Sequence, residues 1–542
     1  MLVAEAVGRA LPALGVDVVF GLVGSGNLAV TNAMRDAGAR FYAARHEGGA
    51  ICMADGYGRV SGRLAACSVH QGPGLTNTVT GLTEAAKSRT PLIVLAPETP
   101  SAALRSNFRI DQAGLVEAVG ATAERVHGPR TAMRDVARAV RRARVERRTV
   151  VLMLPLDVLG AECPDAEVPS DGPLLDAPAP ADAAVLAAAD VLARAERPLI
   201  IAGRGAVLAD AGPALRALGE RAGAVLATTA VANGLFAGDP YDLGIAGGFA
   251  SPLAARLLAD ADAVVAFGAS LNQWTTRHGT LPGPQATVAQ VDLDAEAIGA
   301  HRPVDVGVLG DARATAEALL AAIPGASGWR TPELAARIAA HRWRDEPFAP
   351  GDTPGVVDPR ALSIALDDVL PPERTVAVDS GAFMGWPSMY LRVPDAAGFV
   401  FPQAFQCVGL ALGNAIGAAI ARRDRLTVAA VGDGGALLAL PEFETLGRLG
   451  LPILVVIYDD AAYGAEVHHF APMGEAVDIA QFPDTDFAAL AEAAGCRGVT
   501  ARSLDDLDAL RAWLDVRDRP LVLDAKVDPS VYGEWLAEAF RH

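Results

Sequence analysis

The sequence predicts an α/β protein built from three doubly wound parallel-sheet domains. Three observations carry that prediction. Short apolar runs of strand length recur along the whole chain and alternate with helical patterns, as in parallel sheets covered by helices on both faces. Two stretches interrupt the alternation and read as linkers: residues 163–182, CPDAEVPSDGPLLDAPAPAD, and, more loosely, 346–359. The length, 542 residues, calls for several domains rather than one core. The expected division is a first domain over 1–165, a second over 183–325 and a third over 356–542.

Composition narrows the class. A hydrophobic content of 51% with 20% charged residues is that of a folded soluble enzyme, not a disordered chain. A net charge of −18 argues against a nucleic-acid surface or an anionic-membrane partner. Cys52, Cys67, Cys163, Cys407 and Cys496 are scattered and odd in number, which reads as free thiols in a reducing cytosol. The first twenty residues lack the basic, apolar and small-residue order of a signal peptide. The longest apolar helix pattern, 408–421, contains Asn414 and several glycines and is too short to span a bilayer, so a cytoplasmic location is expected.

In the first domain the strand-like runs are 18–20, 64–70, 92–96 and 150–154. The run at 18–20 leads into a glycine turn at Gly21 and Gly24. Arg45-His46-Glu47-Gly48-Gly49-Ala50 then opens ICMADGYGRVSG, with Glu47 where a helix starts; taken alone, it is a carboxylate favoured by the helix dipole. His70-Gln71 ends the next run before Gly72-Pro73-Gly74-Leu75-Thr76-Asn77. The second domain has runs at 199–202, 264–267 and 288–293, and a glycine turn, Gly203-Arg204-Gly205, without the third glycine of a dinucleotide fingerprint.

The third domain has runs at 376–378, 428–431, 451–458 and 521–523. The first delivers Asp379-Ser380-Gly381. The second ends in Gly432-Asp433-Gly434-Gly435, followed by a helical segment with Leu437, Leu440, Phe443 and Leu446 at spacings of three. The third delivers Asp459-Asp460, so Asp460 lies 27 positions after Asp433, about one helix plus one strand. In open α/β sheets these strand ends border the ligand crevice, and glycines there let backbone N–H groups approach phosphate oxygens. Two carboxylates beside a phosphate cradle need a cation, and Mg²⁺ suits oxygen ligands shared with phosphates. Leu437 stands where a dinucleotide motif needs its third glycine, and no Lys-Ser or Lys-Thr completes a P-loop. Alone, the Gly-Asp-Gly could be an ordinary strand-to-helix turn.

This stretch resembles the thiamine diphosphate signature, Gly-Asp-Gly followed one βα unit later by Asn-Asn or Asn-Asp. The resemblance implies that Asp433, Asp460 and the carbonyl of Ala462 hold Mg²⁺. The departure is Asp459, where many members carry Asn; a second carboxylate strengthens the pull on Mg²⁺ and adds negative charge near the diphosphate. R-H-E-x-x-A-x-x-M-A-D-G-Y-x-R-x-[ST]-G, with Gly72-Pro73-Gly74-x-Thr76-Asn77 at a strand end, resembles the pyrimidine-binding domain of the acetolactate synthase and 2-oxoacid decarboxylase branch. The match in order and spacing covers both outer domains and, by topology, the middle one.

That family builds each active site from the first domain of one subunit and the third of its partner, which implies a homodimer or homotetramer. Glu47 is then expected at N1′ of the aminopyrimidine, where a carboxylate favours the imino tautomer. Gly72 and Asn77 belong beside it. Gln406 and Val408 fall beneath the cofactor, with the stiff, β-branched Val408 as the wedge, unless it is a plain core valine. Ser380 and Gly381, with Asp379, are placed at the diphosphate, Ser380 being otherwise a helix cap. Gly432, Gly434, Gly435, Tyr463 and Gly464 complete the cofactor-binding set. Glu466 falls where some decarboxylases of the family carry an acid or base over the thiazolium, and Gln71 is a candidate substrate-facing group. His70, Arg109, Trp274, His468 and His469 are weaker candidates, and the two C-terminal histidines read equally well as a lid or as surface residues. Acetolactate synthases bind FAD in the middle domain; the Gly203-Arg204-Gly205 trace is too weak to assign it, and FAD stays an open alternative. The reaction implied is decarboxylation of a 2-oxo acid with transfer to a carbonyl acceptor. A simple 2-oxoacid decarboxylase or an aldehyde lyase shares all these residues, and a catalytically silent paralogue is opposed by the presence of Glu47, Asp433 and Asp460.

Overall fold

The computed structural model describes residues 1–168, 176–325, 328–351 and 353–541. Among the described residues the chain forms three six-stranded sheets, each with parallel pairing throughout. The first comprises β1 (Val18–Gly21), β2 (Arg40–Ala43), β3 (Ala65–Ser68), β4 (Leu92–Glu98), β5 (Thr122–Arg125) and β6 (Thr149–Pro155), in the order β2-β1-β3-β4-β6-β5. The second comprises β7 (Pro198–Ala202), β8 (Val225–Thr228), β9 (Asp242–Ile245), β10 (Ala263–Phe267), β11 (Thr287–Asp292) and β12 (Val306–Leu309), ordered β12-β11-β10-β7-β8-β9. The third comprises β13 (Arg374–Val378), β14 (Phe399–Val400), β15 (Leu426–Gly432), β16 (Ile453–Asp459), β17 (Arg497–Ala501) and β18 (Leu521–Lys526), ordered β14-β13-β15-β16-β18-β17. The first and third sheets thus share one topology, and in each the order reverses between the first and third strands, the position at which open sheets bind ligands. The second has the other common doubly wound order, reversing between β7 and β10.

Every run predicted from the sequence lies in a central strand, because such strands are buried on both faces and read as continuous apolar segments. Edge strands escaped that criterion. β2, β5, β12 and β17 are only partly buried and carry mixed residues such as Arg40, Glu124 and Arg497.

Two helical expectations are corrected. The segment after Gly432 is not one helix through Leu446 but two, Asp433–Leu438 and Pro441–Leu449, because Pro441 has no N–H to continue the first. Phe443 and Leu446 are buried, whereas Leu437 is 45% exposed. The apolar helix begins at Ala411 rather than Val408, because Gln406 and Gly409 adopt left-handed backbone angles of +54° and +92° that no helix contains.

The outer domains share a core. The helix Glu47–Ser61 lies against Ala411–Ala421 so closely that a Cβ on Gly417 would stand 1.9 Å from the carbonyl oxygen of Met53. The five cysteines are free thiols. Among the described residues no helix is long and apolar enough to cross a membrane.

Candidate active site

A cleft of about 1390 Å³ opens at the carboxyl ends of the third sheet and extends to the switch point of the second. Its floor is made where β13 and β15 end. Ser380 and Gly381 follow β13, and Gly432, Asp433, Gly434 and Gly435 follow β15; all line the cleft. From the end of β16 come Asp460, Ala462, Tyr463, Gly464, Glu466 and His468, and from the loop before Ala411 come Gln406 and Val408. The sequence-predicted third-domain set is therefore brought to one place, although its members span nearly ninety positions of chain. Trp274 reaches the same cleft from the second domain.

The floor carries two carboxyl groups, each pushed up by burial and by neighbouring carboxylates. Burial, reinforced by the carboxylates of Asp460 and Asp459, pushes Asp433 up to about 7. Burial, together with Asp459 and against the pull of the Ala462 N–H, pushes Asp460 up to about 7. Two carboxylates that resist ionisation beside one another are a donor set that a divalent ion relieves, and the hard oxygen ligands match Mg²⁺. Ala461, between Asp460 and Ala462, is left-handed at φ +53°, held there by its N–H donating to Asp459 Oδ1 at 3.0 Å. The Asp433–Leu438 helix meanwhile presents its N-terminus to the cleft.

Two neighbours of this set point elsewhere than expected. Asp379 does not face the cleft: it is wholly buried, and its carboxylate accepts the N–H groups of Gly409, Leu410 and Ala411 at 2.8, 3.1 and 3.4 Å. It caps the helix Ala411–Ala421 and leaves Ser380 and Gly381 at the surface of the cleft. Asp459 likewise turns into the sheet, where Lys526 Nζ lies 2.6 Å from its Oδ2. The added charge foreseen at this position is compensated from β18 by Lys526, which no local pattern singles out.

The sequence-predicted first-domain residues do not line that cleft, although Lys87, Arg89 and Arg147 of the same domain do. Glu47 opens the helix Glu47–Ser61, is partly exposed, and accepts a hydrogen bond from Asn77 Nδ2 at 3.0 Å. Gly72 is left-handed at φ +63° and donates its N–H to Gln112 Oε1 at 3.0 Å. Gln71 is buried, its Oε1 without a hydrogen-bond partner. His70 is the more open of the pair, its Nε2 3.3 Å from Ser25 Oγ and its ring edge-on to Phe108. Arg109 is exposed on the same domain. Glu47, Ser25 and His70 follow β2, β1 and β3, which run parallel, so they share the carboxyl end of the first sheet.

His468 and His469 are not a surface pair. They stack on Tyr532 and Phe540, at ring separations of 4.9 and 4.0 Å, beneath the C-terminal segment, and burial lowers the His468 pKa. Glu466 is exposed in the first turn of their helix, Gly464–Phe470.

Comparison with known proteins agrees with this arrangement. Residues 1–116 match the N-terminal TPP binding domain of thiamine pyrophosphate enzymes, 185–319 the central domain and 379–525 the C-terminal TPP binding domain. A sulfoacetaldehyde acetyltransferase of Rhodobacter capsulatus is 32% identical over 94% of this chain and 91% of its own length. A probable 2-ketoarginine decarboxylase of Pseudomonas aeruginosa is 32% identical over 93% of this chain and 90% of its own, and an acetolactate synthase large subunit of Parasynechococcus marenigrum 30% identical over 84% and 76%. With all three domain models matched in order, the chain belongs to the thiamine pyrophosphate enzyme family.

Proposed function

We propose that the protein is a thiamine diphosphate- and Mg²⁺-dependent enzyme that decarboxylates a 2-oxo acid and passes the acyl unit to a carbonyl acceptor, in the manner of an acetolactate synthase. The observation that carries the cofactor assignment is the buried pair Asp433 and Asp460, both pushed up to about 7, the first of them opening a helix and the second following a strand end. With the carbonyl of Ala462 they would hold Mg²⁺. The N–H groups of Gly434 and Gly435 and the hydroxyl of Ser380 would take diphosphate oxygens, Val408 and Gln406 would support the rings, and Gly381, Gly432, Tyr463 and Gly464 would close around them. Bound there, thiamine diphosphate supplies the electron sink for loss of CO₂ and for reaction of the acyl carbon with a second carbonyl. Glu47 would hold the proton at N1′ of the aminopyrimidine, with Asn77 orienting its carboxylate and Gly72 leaving room. Glu466 and Gln71 would face the substrate. Because Glu47, Gln71, Gly72 and Asn77 lie outside the cleft of their own chain, a second copy would bring them to it, in a homodimer or a pair of dimers. The division into domains at 1–165, 183–325 and 356–542 belongs to this proposal, as does a cytoplasmic location.

Purified protein with Mg²⁺ and thiamine diphosphate, given pyruvate with and without an acceptor aldehyde, tests the reaction. Carboligation is expected to give acetolactate from pyruvate alone, a second pyruvate serving as the acceptor, and a mixed product once the aldehyde is added; CO₂ and free aldehyde alone under both conditions exclude carboligation. The resemblance to a 2-ketoarginine decarboxylase favours simple decarboxylation as the second reading, and the similarity to sulfoacetaldehyde acetyltransferases makes sulfoacetaldehyde the further donor to include.

A further inference from the structure

Glu442 is a buried carboxylate at the join between the outer domains. It lies in the first turn of the helix Pro441–Leu449, the second of the two helices that follow Asp433, and is 2% exposed. Its Oε1 accepts the N–H of His46 at 3.0 Å and that of Arg45 at 3.3 Å, and its Oε2 accepts the Thr445 hydroxyl at 2.6 Å. A carboxylate is stabilised by N–H groups at a helix start, and Glu442 stands between two such starts, its own helix and Glu47–Ser61. The contact is close: a Cβ on Gly49 would stand 2.2 Å from Glu442 Oε1. His46, the residue it grips, is the N-cap of the Glu47 helix and accepts the Gly48 N–H through Nδ1 at 3.0 Å.

We propose that Glu442 is a positioning residue for Glu47, fixing the peptide that precedes it from the same chain segment that carries Asp433. The proposal rests on the reading of Glu47 as the aminopyrimidine partner. Behind the grip, Glu47–Ser61 and Ala411–Ala421 touch backbone to backbone at Gly413 and Gly417, and Asp379 ties the start of the second helix to the strand end that carries Ser380. One chain thus holds its two half-sites as a single unit. In a dimer that exchanges Glu47 between subunits, each half-site serves a different active site, and Glu442 lies on the path between them.

The test uses the full chain as wild type, Glu442→Ala, Glu442→Gln, Glu47→Gln and the double variant Glu47→Gln/Glu442→Ala. In cofactor-free protein, hydrogen exchange of the Arg45 and His46 amides is expected to rise about tenfold or more in Glu442→Ala and less in Glu442→Gln, which keeps an acceptor oxygen. With Mg²⁺ and thiamine diphosphate, Glu442→Ala is expected to slow C2 deuterium exchange about tenfold, with cofactor Kd changed less than about threefold; added to Glu47→Gln it slows exchange no more than about twofold further. Unchanged amide exchange in Glu442→Ala overturns the grip whatever the cofactor does. Effects on C2 exchange that multiply in full in the double variant overturn its action through Glu47. Wild-type C2 exchange in Glu47→Gln overturns the assignment of Glu47 instead, while the amide measurement still judges the grip.

Discussion

Replacing Lys526 by Met removes one charge from a buried cluster and leaves two others exposed to their own desolvation. Lys526 Nζ lies 2.6 Å from Asp459 Oδ2, 3.0 Å from Asp524 Oδ2 and 2.7 Å from the carbonyl of Thr485, and it also pairs with Asp484. Asp459 is 4% and Asp524 0% exposed, and neither oxygen of Asp524 has a hydrogen-bond partner beyond this ion pair. Removing one partner of a buried pair costs about 3–5 kcal/mol, because a carboxylate stays behind uncompensated. Lys526→Met is therefore expected to lose about 4 kcal/mol at pH 7.5, read from urea unfolding midpoints of the cofactor-free protein. Burial raises the Asp524 pKa, so the folded variant takes up a proton more readily than the unfolded chain, and the deficit shrinks as pH falls towards 5.5. Adding Asp459→Asn removes one of the stranded charges and is expected to recover about half of the loss. Mg²⁺ affinity should fall with the single variant, since Asp459 holds the turn that aims Asp460 and Ala462. A loss below about 1 kcal/mol at pH 7.5, or one that is unchanged at pH 5.5, refutes the reasoning.

Three further outcomes follow from the geometry. Gly417→Ala forces apart two helices whose backbones touch, since the new methyl would meet the Met53 carbonyl at 1.9 Å; a cost of about 3 kcal/mol is expected as a lowered thermal midpoint, and an unchanged midpoint contradicts the packing. Asp433→Ala, or removal of divalent ions with a chelator, should weaken thiamine diphosphate binding about 100-fold or more by calorimetry, and binding that survives both treatments rejects the metal bridge. Asp379 is raised to about 6 from the usual 3.8, so the folded state binds the extra proton in that window and stability declines as pH rises through it, by an amount on the order of 3 kcal/mol; Asp379→Asn should flatten that decline.

What could be read from the sequence was local. The strand ends carrying Asp433, Asp460 and Ser380 were legible because a buried strand is a continuous apolar run and its glycine turn follows at once. Pro441 was equally visible, but a spacing of three through Leu437, Leu440, Phe443 and Leu446 masked the break it makes. Asp379 looked like a cleft residue because it directly precedes Ser380, and only the fold reveals the helix start thirty positions later that it caps. Lys526 and Glu442 were invisible for the same reason: their partners, Asp459 and His46, lie far along the chain and meet them only across a sheet register or a domain join. The stacking of His468 and His469 on Tyr532 and Phe540 likewise joins segments that no periodicity connects.

The central claim is that each active site takes Glu47 from one chain and the Asp433–Asp460 pair from another. Subunit mixing addresses it directly. Glu47→Gln and Asp433→Asn proteins, each inactive alone, are dissociated together and allowed to reassociate. Random pairing into dimers leaves about a quarter of all sites with both residues intact, so activity should return to about that fraction of the wild-type value. No recovery from a verified mixed dimer, with both parent proteins folded, would contradict the shared site.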